Sequence, residues 1–548
     1  MKRLWKYLKL PDLQIFLQLS KQEMRVVRIP RNPVILQLFE EFREAEKKNR
    51  ENLFKILRDN RNTEYGKTYG FSEIRSEEDY RRYVPLTEYS AYENMGQKPE
   101  LYTVYPVSCT LVTSGTTGVQ KEFCITEEAL QRYGSYIYEM LYELSKGPWG
   151  PHLHMSVFRS DTDGKNLLSA VYYRYLADNG AFDCDVFVGG KELLFSDNIK
   201  NVPYVKAWLA LSCPNLVSIQ AIFLYDILLL FGYLEENWKQ LLSDMKNGEV
   251  RGCPEKGVRE RLLALSPSQE RIQELEHIFS EGFEEPVARK IWKELRFISG
   301  IGGKLYQFQG DALKHYTGDV PVSYFAYASS ECMAGVAAEL NRAEYALLPE
   351  SGYYEFLNKE GNVVSPGCVR KGEIYELVVT TFSGLYRYQT GDLIKPVAFL
   401  DETPVFEVMG RRNQVSDIAG EKLSGAVVQE AVSAWAEEQR LRISDFVLGV
   451  DVRTLPYRYC LFVETIEQAG TWQTFCFDRK LRDFSPDYDD VRNLGMLGFP
   501  EVYRVKAGVL MEEFFRKTGE NVHRKPHIFF SSEQTRHLLR MISGEENG

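Results

Sequence analysis

Residues 113–118 read Thr113-Ser114-Gly115-Thr116-Thr117-Gly118, and Lys121 follows after Val119-Gln120. Glycines interleaved with hydroxyl side chains leave little bulk. Backbone N–H and side-chain O–H donors can then point at one anion, and a nearby lysine adds positive charge. The stretch predicts a phosphate grip. Upstream, Leu101–Thr113 is apolar and β-branched, which predicts a strand that delivers the loop. Downstream, Thr126-Glu127-Glu128 reads as a helix start with Thr126 as its cap. The loop is not a Walker A motif, because Lys121 is followed by Glu122, and it is not a GxGxxG turn. Alone, it says only that the chain binds an anion.

Three further positions bear on which anion. Tyr327-Ala328-Ser329-Ser330-Glu331-Cys332 sits at the end of a predicted strand. A carboxylate there suits Mg²⁺, which takes oxygen ligands and bridges a carboxylate to substrate phosphates; in isolation Glu331 reads as a solvated turn residue. Tyr375–Thr381 leads through Gly384-Leu385-Tyr386-Arg387-Tyr388 to Thr390-Gly391-Asp392. A strand ending in Gly-Asp aims a carboxylate at neighbouring hydroxyls, as a ribose ligand must, although Asp in a β-turn is common. Lys525-Pro526 lies near the C-terminus, where a single lysine ordinarily reads as surface.

The chain of 548 residues is 44% hydrophobic and 26% charged, ordinary for a folded globular protein. A net charge of −10 argues against general nucleic-acid binding, which rewards a basic surface. The 9 cysteines are scattered without a CxxC pair, which fits free thiols in a reducing, cytoplasmic setting. The basic N-terminus, Met1–Asp12, lacks the apolar run of a signal peptide. Leu216–Leu234 is the most apolar stretch. Ser218, Gln220, Asp226 and Gly232 interrupt it, so it reads as a buried helix and no integral membrane segment is expected.

Helical spacing fills 33–60 and 204–297; short runs at Val320–Tyr327, Glu373–Thr381 and Leu385–Tyr388 read as strands. This mixture predicts an α/β architecture. A boundary is expected near Met409–Asn413. Beyond it, a helix over Gly425–Gln439, strands over Asp445–Val452 and Tyr457–Thr465, and a helix over Trp472–Asp483 make one small α/β domain. His152 and His154 share one face if their segment is a strand, without further ligands at metal spacing.

Taken together, the four sites are similar in order and spacing to the acyl-adenylate-forming superfamily. Within it the chain resembles the Gretchen Hagen three family of acyl-acid amido synthetases, known for joining plant hormone acids to amino acids in auxin-responsive systems. Tyr327–Cys332, Tyr375–Asp392, Gly410–Leu423 and Asp487-Tyr488…Arg492…Gly495 carry the likeness, with Thr63–Gly66 and Val84-Pro85. It spans roughly residues 33 to 530. The resemblance implies a large N-terminal adenylating domain with mixed β-sheets (1–410) and a small mobile α/β C-terminal lid domain (411–548).

It also implies roles. Thr113, Ser114, Gly115, Thr116, Thr117, Gly118 and Lys121 would hold ATP phosphates. Tyr327, Ser329, Ser330 and Glu331 would form the adenine-side motif, with Glu331 on Mg²⁺. Asp392 would bind the ribose, with Arg411 beside it at the hinge. Lys525 would be swung in for adenylation, so that Lys525 and Lys121 are the catalytic cations. The expected substrates are a small carboxylic acid and an amine, probably an amino acid in this family. The chain departs from the family at Val119-Gln120, which stand between the glycine loop and Lys121. An acyl-CoA ligase using the same adenylate is the alternative enzyme, and a silent relative acting as a binding protein is the alternative class. The acyl pocket is expected near Tyr133–Tyr142 and Leu209–Phe231.

Overall fold

A computed structural model describes residues 14–20, 23–28, 33–112, 121–134, 136–145, 150–158, 165–180, 184–196, 199–251, 255–302, 307–412, 415–416, 418–419, 421, 423–453, 456–466, 474–518 and 528–544. The glycine loop 113–118, Val119-Gln120, Lys525 and the terminus Met1–Asp12 lie outside them.

Strands β1 (Gln14–Ser20) and β2 (Glu23–Arg28) form a hairpin. Helices Pro33–Arg43 and Ala45–Asn60 follow, matching the 33–60 periodicity. Strand β3 (Val107–Val112) ends where the glycine loop begins, and β4 (Glu122–Thr126) returns antiparallel to it. Thr126 then caps helix Glu127–Tyr133, its side chain accepting from the Ala129 N–H.

A second sheet is parallel, in the order β5 (His152–His154), β7 (Ser218–Phe223), β8 (Phe297–Ile301) and β9 (Val322–Ser323); the short β6 (Lys165–Asn166) pairs with β3 instead. Here one expectation fails. The apolar stretch from Leu216 is not one helix: Ser218–Phe223 is a strand, and the helix starts at Leu224 and runs to Asn247. All six residues of β7 are buried, so burial gives no contrast along it. A short buried run looks alike as strand or helix. Among the described residues, no helix is long and apolar enough to cross a membrane.

The third sheet is antiparallel with eight strands, in the order β10 (Ala326–Ala328), β11 (Met333–Ala337), β12 (Glu344–Leu347), β17 (Thr403–Arg411), β16 (Tyr388–Leu400), β15 (Tyr375–Thr381), β13 (Gly352–Asn358) and β14 (Val363–Val364). Leu385–Tyr388 is not a strand of its own. Gly384 (φ 96°) and Arg387 (φ 45°) make it a left-handed turn, and β16 begins only at Tyr388. Gly384 has no substitute there: a Cβ would meet Tyr102 Cβ at 3.0 Å.

One apolar core lies between this sheet and the N-terminal helices, and a second surrounds helices Val202–Ser212 and Leu224–Asn247. After β17 come the two-residue strands β18 (Val415–Ser416) and β19 (Leu423–Ser424), helix Gly425–Gln439, then β20 (Ile443–Asp451) and β21 (Arg458–Thr465), with β22 (Glu501–Arg504) parallel to β21. Helix Thr474–Phe484 packs on helix Gly425–Gln439. These residues have their own core around Trp435, Phe477 and Tyr488. They touch the preceding part where Tyr225 donates to Glu464 at 3.1 Å and where Arg442 meets His315.

Candidate active site

The site is built on the β16–β17 pair. Asp392 and Arg411 are cross-strand partners, and the Arg411 Nε donates to Asp392 Oδ1 at 2.8 Å. Gly391 (φ 76°) and Gly410 (φ 135°) precede them, and the register shifts just beyond, between Leu393 and Ile394. An irregularity of this kind re-aims side chains at one edge of a sheet. Asp392 therefore lies near the start of a long strand, not at a strand's end as the Gly-Asp reading predicts. From β10, the Tyr327 hydroxyl donates to Asp392 Oδ2 at 2.6 Å. Asp392 is buried, so its two oxygens are each held by one donor while further lone pairs remain open. The Asp392 carboxylate beside Arg411 holds that guanidinium's pKa above its ordinary value, and burial does the same for the Tyr327 phenol.

Glu331 stands in the turn between β10 and β11, which Ser329 closes by donating its N–H to the Cys332 carbonyl at 2.8 Å. Ser330 is half-buried beside it. The Glu331 side chain is buried, and its Oε2 has no hydrogen-bond partner. An unsatisfied buried carboxylate oxygen is costly unless a cation or donor reaches it. The charge of Glu331 also acts on Arg411, on Tyr388 and on the Cys332 thiol, which burial pushes up.

Lys121 enters from β4, directly after the glycine loop. Its Nζ lies 3.5 Å from the Tyr388 hydroxyl and 5.3 Å from the centre of the Tyr89 ring. Tyr89 in turn accepts from the Glu122 N–H at 2.9 Å. Sequence reading missed Tyr388 and Tyr89 as parts of the site. Tyr388 was visible only as the last residue of the Tyr386-Arg387-Tyr388 run, and its role depends on the turn that precedes it.

A second missed feature is the clamp beneath Gly391. Glu376 accepts from the Gly391 N–H at 3.1 Å and from Arg412 at 2.8 Å, while the Arg412 N–H donates to the Gly391 carbonyl at 2.7 Å. Burial raises the Glu376 carboxyl pKa, and Arg412 opposes that.

The structure thus brings Lys121, Tyr327, Ser329, Ser330, Glu331, Asp392 and Arg411 together; it does not place Thr113, Ser114, Gly115, Thr116, Thr117, Gly118 or Lys525. No group of three or more metal-ligating side chains occurs among the described residues. His152 and His154 are buried strand residues bonded to Ser218 and Tyr173, not a metal pair.

Comparison with known proteins accords with this geometry. Residues 35–322 match the model of the GH3 family N-terminal domain, 345–411 its central domain and 426–534 its C-terminal domain. The chain is 24% identical over 496 residues to the indole-3-acetic acid-amido synthetase GH3.17 of Arabidopsis thaliana, covering 80% of this chain and 81% of that protein. It is 26% identical over 470 residues to the indole-3-acetic acid-amido synthetase GH3.8 of Oryza sativa subsp. indica, covering 76% and 75%. The solved structure of the AtGH3.15 acyl acid amido synthetase in complex with 2,4-DB superposes with a TM-score of 0.80 at 23% identity, over 93% of this chain and 97% of that one.

Proposed function

Since the chain belongs to the GH3 family, we propose that it is a ligase that activates a carboxylic acid with ATP and passes the acyl group to an amine, an amino acid above all. The acid's carboxylate oxygen attacks the α-phosphorus, pyrophosphate leaves, and an acyl-adenylate remains. The amine nitrogen then attacks the acyl carbon and AMP leaves, giving the amide. The observation that carries this reading is the convergence of Lys121, Glu331 and the Asp392–Arg411 pair on one patch beside the strand that feeds the glycine loop.

No protein nucleophile is needed. Alignment and charge neutralisation supply the rate. Asp392, already oriented by Tyr327 and Arg411, accepts from the ribose hydroxyls. The loop Thr113–Gly118 and Lys121 hold the phosphates, with Tyr388 steering the Lys121 ammonium. Ser329 and Ser330 lie on the adenine side.

Mg²⁺ fits the residues present. A single buried carboxylate with an open oxygen, Glu331, is the donor set this ion uses when phosphates and water fill its other positions. Bound there, it would neutralise phosphate charge. We place the domain boundary at 410/411, with Lys525 carried in by the C-terminal part for the first half-reaction and withdrawn for the second.

The test is a hydroxylamine-trapping screen of carboxylic acids with MgATP, followed by product analysis with amino acids or coenzyme A. Amide is expected, and thioester without amide would overturn the reading. Asp392→Ala should raise the KM for ATP by about 1.5–3 kcal/mol, on the order of 10–100-fold, because charge-assisted hydrogen bonds to the ribose are lost. An unchanged KM sinks the ribose role.

A further inference from the structure

The parallel sheet β5–β7–β8–β9 is buried on both faces, yet only one of them is apolar. Leu153, Ile219 and Ile298 point into the second core. The opposite face carries His152, His154, Ser218, Gln220 and Ser299, in register as His152↔Ser218 and His154↔Gln220↔Ser299. Each is at most 2% exposed. Helices Tyr136–Leu144 and Leu168–Asp178 cover this face through Tyr138 and Tyr173. Burying such a row costs free energy unless its groups are hydrogen-bonded or meet a ligand.

Most of them are bonded, and in one direction. The Tyr138 hydroxyl donates to Gln220 Oε1 at 3.4 Å, and Gln220 Nε2 donates to Ser218 Oγ at 3.0 Å. The Ser218 proton is then left for His152 Nδ1, 2.8 Å away, which leaves the imidazole proton on Nε2. Burial pushes the His152 pKa down to about 4, so the ring is neutral at pH 7. The chain of donors ends on nothing: His152 Nε2 and Ser299 Oγ are both buried without a partner.

Aromatic rings wall this end, with Tyr142 and Phe187 centred 5.9 and 5.5 Å from the imidazole. At the other end, the Tyr138 ring meets Phe325 at 5.6 Å, two residues before Tyr327 and its bond to Asp392. The polar face therefore adjoins the nucleotide side of the site, in a parallel sheet of the kind that binds ligands at its strand ends.

We propose that this face is the floor of the acyl-acid site, where His152 Nε2–H and the Ser299 hydroxyl read hydrogen-bond acceptors on the acid. The acid class is an aromatic carboxylic acid with an oxygen or nitrogen acceptor on the ring, remote from its carboxylate, in preference to a hydrocarbon acid of the same shape. The inference rests on the carboxylate-activating reading above.

The experiment compares hydroxamate formation with MgATP and hydroxylamine for matched acids: 4-hydroxybenzoate against 4-methylbenzoate, and 4-hydroxyphenylacetate against 4-methylphenylacetate. The hydroxylated member should be favoured roughly 10–100-fold in kcat/KM, because a buried donor facing a methyl group is left unpaired. His152→Phe should collapse that ratio towards one. In the wild-type protein labelled with ¹⁵N-histidine, His152 should appear as the Nε2–H tautomer, and its Nε2 signal should move on adding the hydroxylated acid.

Equal kcat/KM within each pair, a ratio that survives His152→Phe, or an Nδ1-protonated His152 would each overturn the proposal. Should His152→Phe fail to fold, Ser299→Ala and the wild-type tautomer carry the same decision. Hydroxamate from none of the acids would count against carboxylate activation itself. Hydroxamate without discrimination would remove only the role of this polar face.

Discussion

Lys525→Ala is expected to slow carboxylate-dependent pyrophosphate exchange on the order of 10²–10³-fold, the usual effect of removing one charge-stabilising group from a preorganised site. The charges at the described site explain why another cation is required. Glu331 and Asp392 are negative, and Lys121 and Arg411 are positive. Arg411 is already committed to Asp392 at 2.8 Å. These four therefore sum to zero before a triphosphate arrives. Charge developing at the α-phosphate must be met by groups brought in with ATP or by a residue delivered later in the cycle, and Lys525 is the proposed residue. The second half-reaction, begun from a supplied acyl-adenylate, should be much less affected. Intact exchange in the variant removes Lys525 from the first step, and equal loss in both halves makes it a structural residue.

Glu355→Ala is expected to destabilise the protein by about 3–5 kcal/mol, the cost of stripping a buried charge of its partner. Glu355 is 1% exposed and lies between two guanidiniums: Arg387 Nε donates to it at 2.9 Å and Arg81 Nε at 3.0 Å. Arg387 also donates to the carbonyls of Arg81 at 3.1 Å and Val84 at 2.9 Å, tying helix Glu77–Tyr83 to the sheet. Its φ of 45° is one that non-glycine residues seldom adopt, and these bonds help to hold it there. Without Glu355, the turn that presents Tyr388 to Lys121 loses its anchor. Urea unfolding should show the loss as a lower midpoint, with Glu355→Gln falling between wild type and Glu355→Ala. A shift worth less than about 1 kcal/mol would mean that Arg387 is satisfied by the carbonyls alone.

How far the sequence could be read depended on the range of the forces involved. The helices at 33–60, the Thr126 cap and the helix Gly425–Gln439 are local outcomes of periodicity and capping, and the structure has them where the residues predict them. The strand at 218–223 was misread because both its faces are buried, one against an apolar core and one against tyrosines. Ser218, Ile219, Gln220 and Ala221 do alternate, but in so short a run the polar positions looked like breaks in a helix. The turn at 384–387 was misread because left-handed backbone at Arg387 depends on Glu355, 32 residues away.

The sequence by itself determined that the chain is α/β and that a glycine–hydroxyl loop, Glu331 and Asp392 share one site. Residue types and spacing along the chain carry that much. Only the tertiary structure decided that Asp392 is pre-bound by Tyr327 and Arg411, that Tyr388 stands against Lys121, and that a row of polar side chains ends on an unpaired His152. Those are contacts between strands 65, 19 and 267 residues apart, or across neighbouring strands of one sheet. Register and bulges set them, and neither is written in any local stretch of residues.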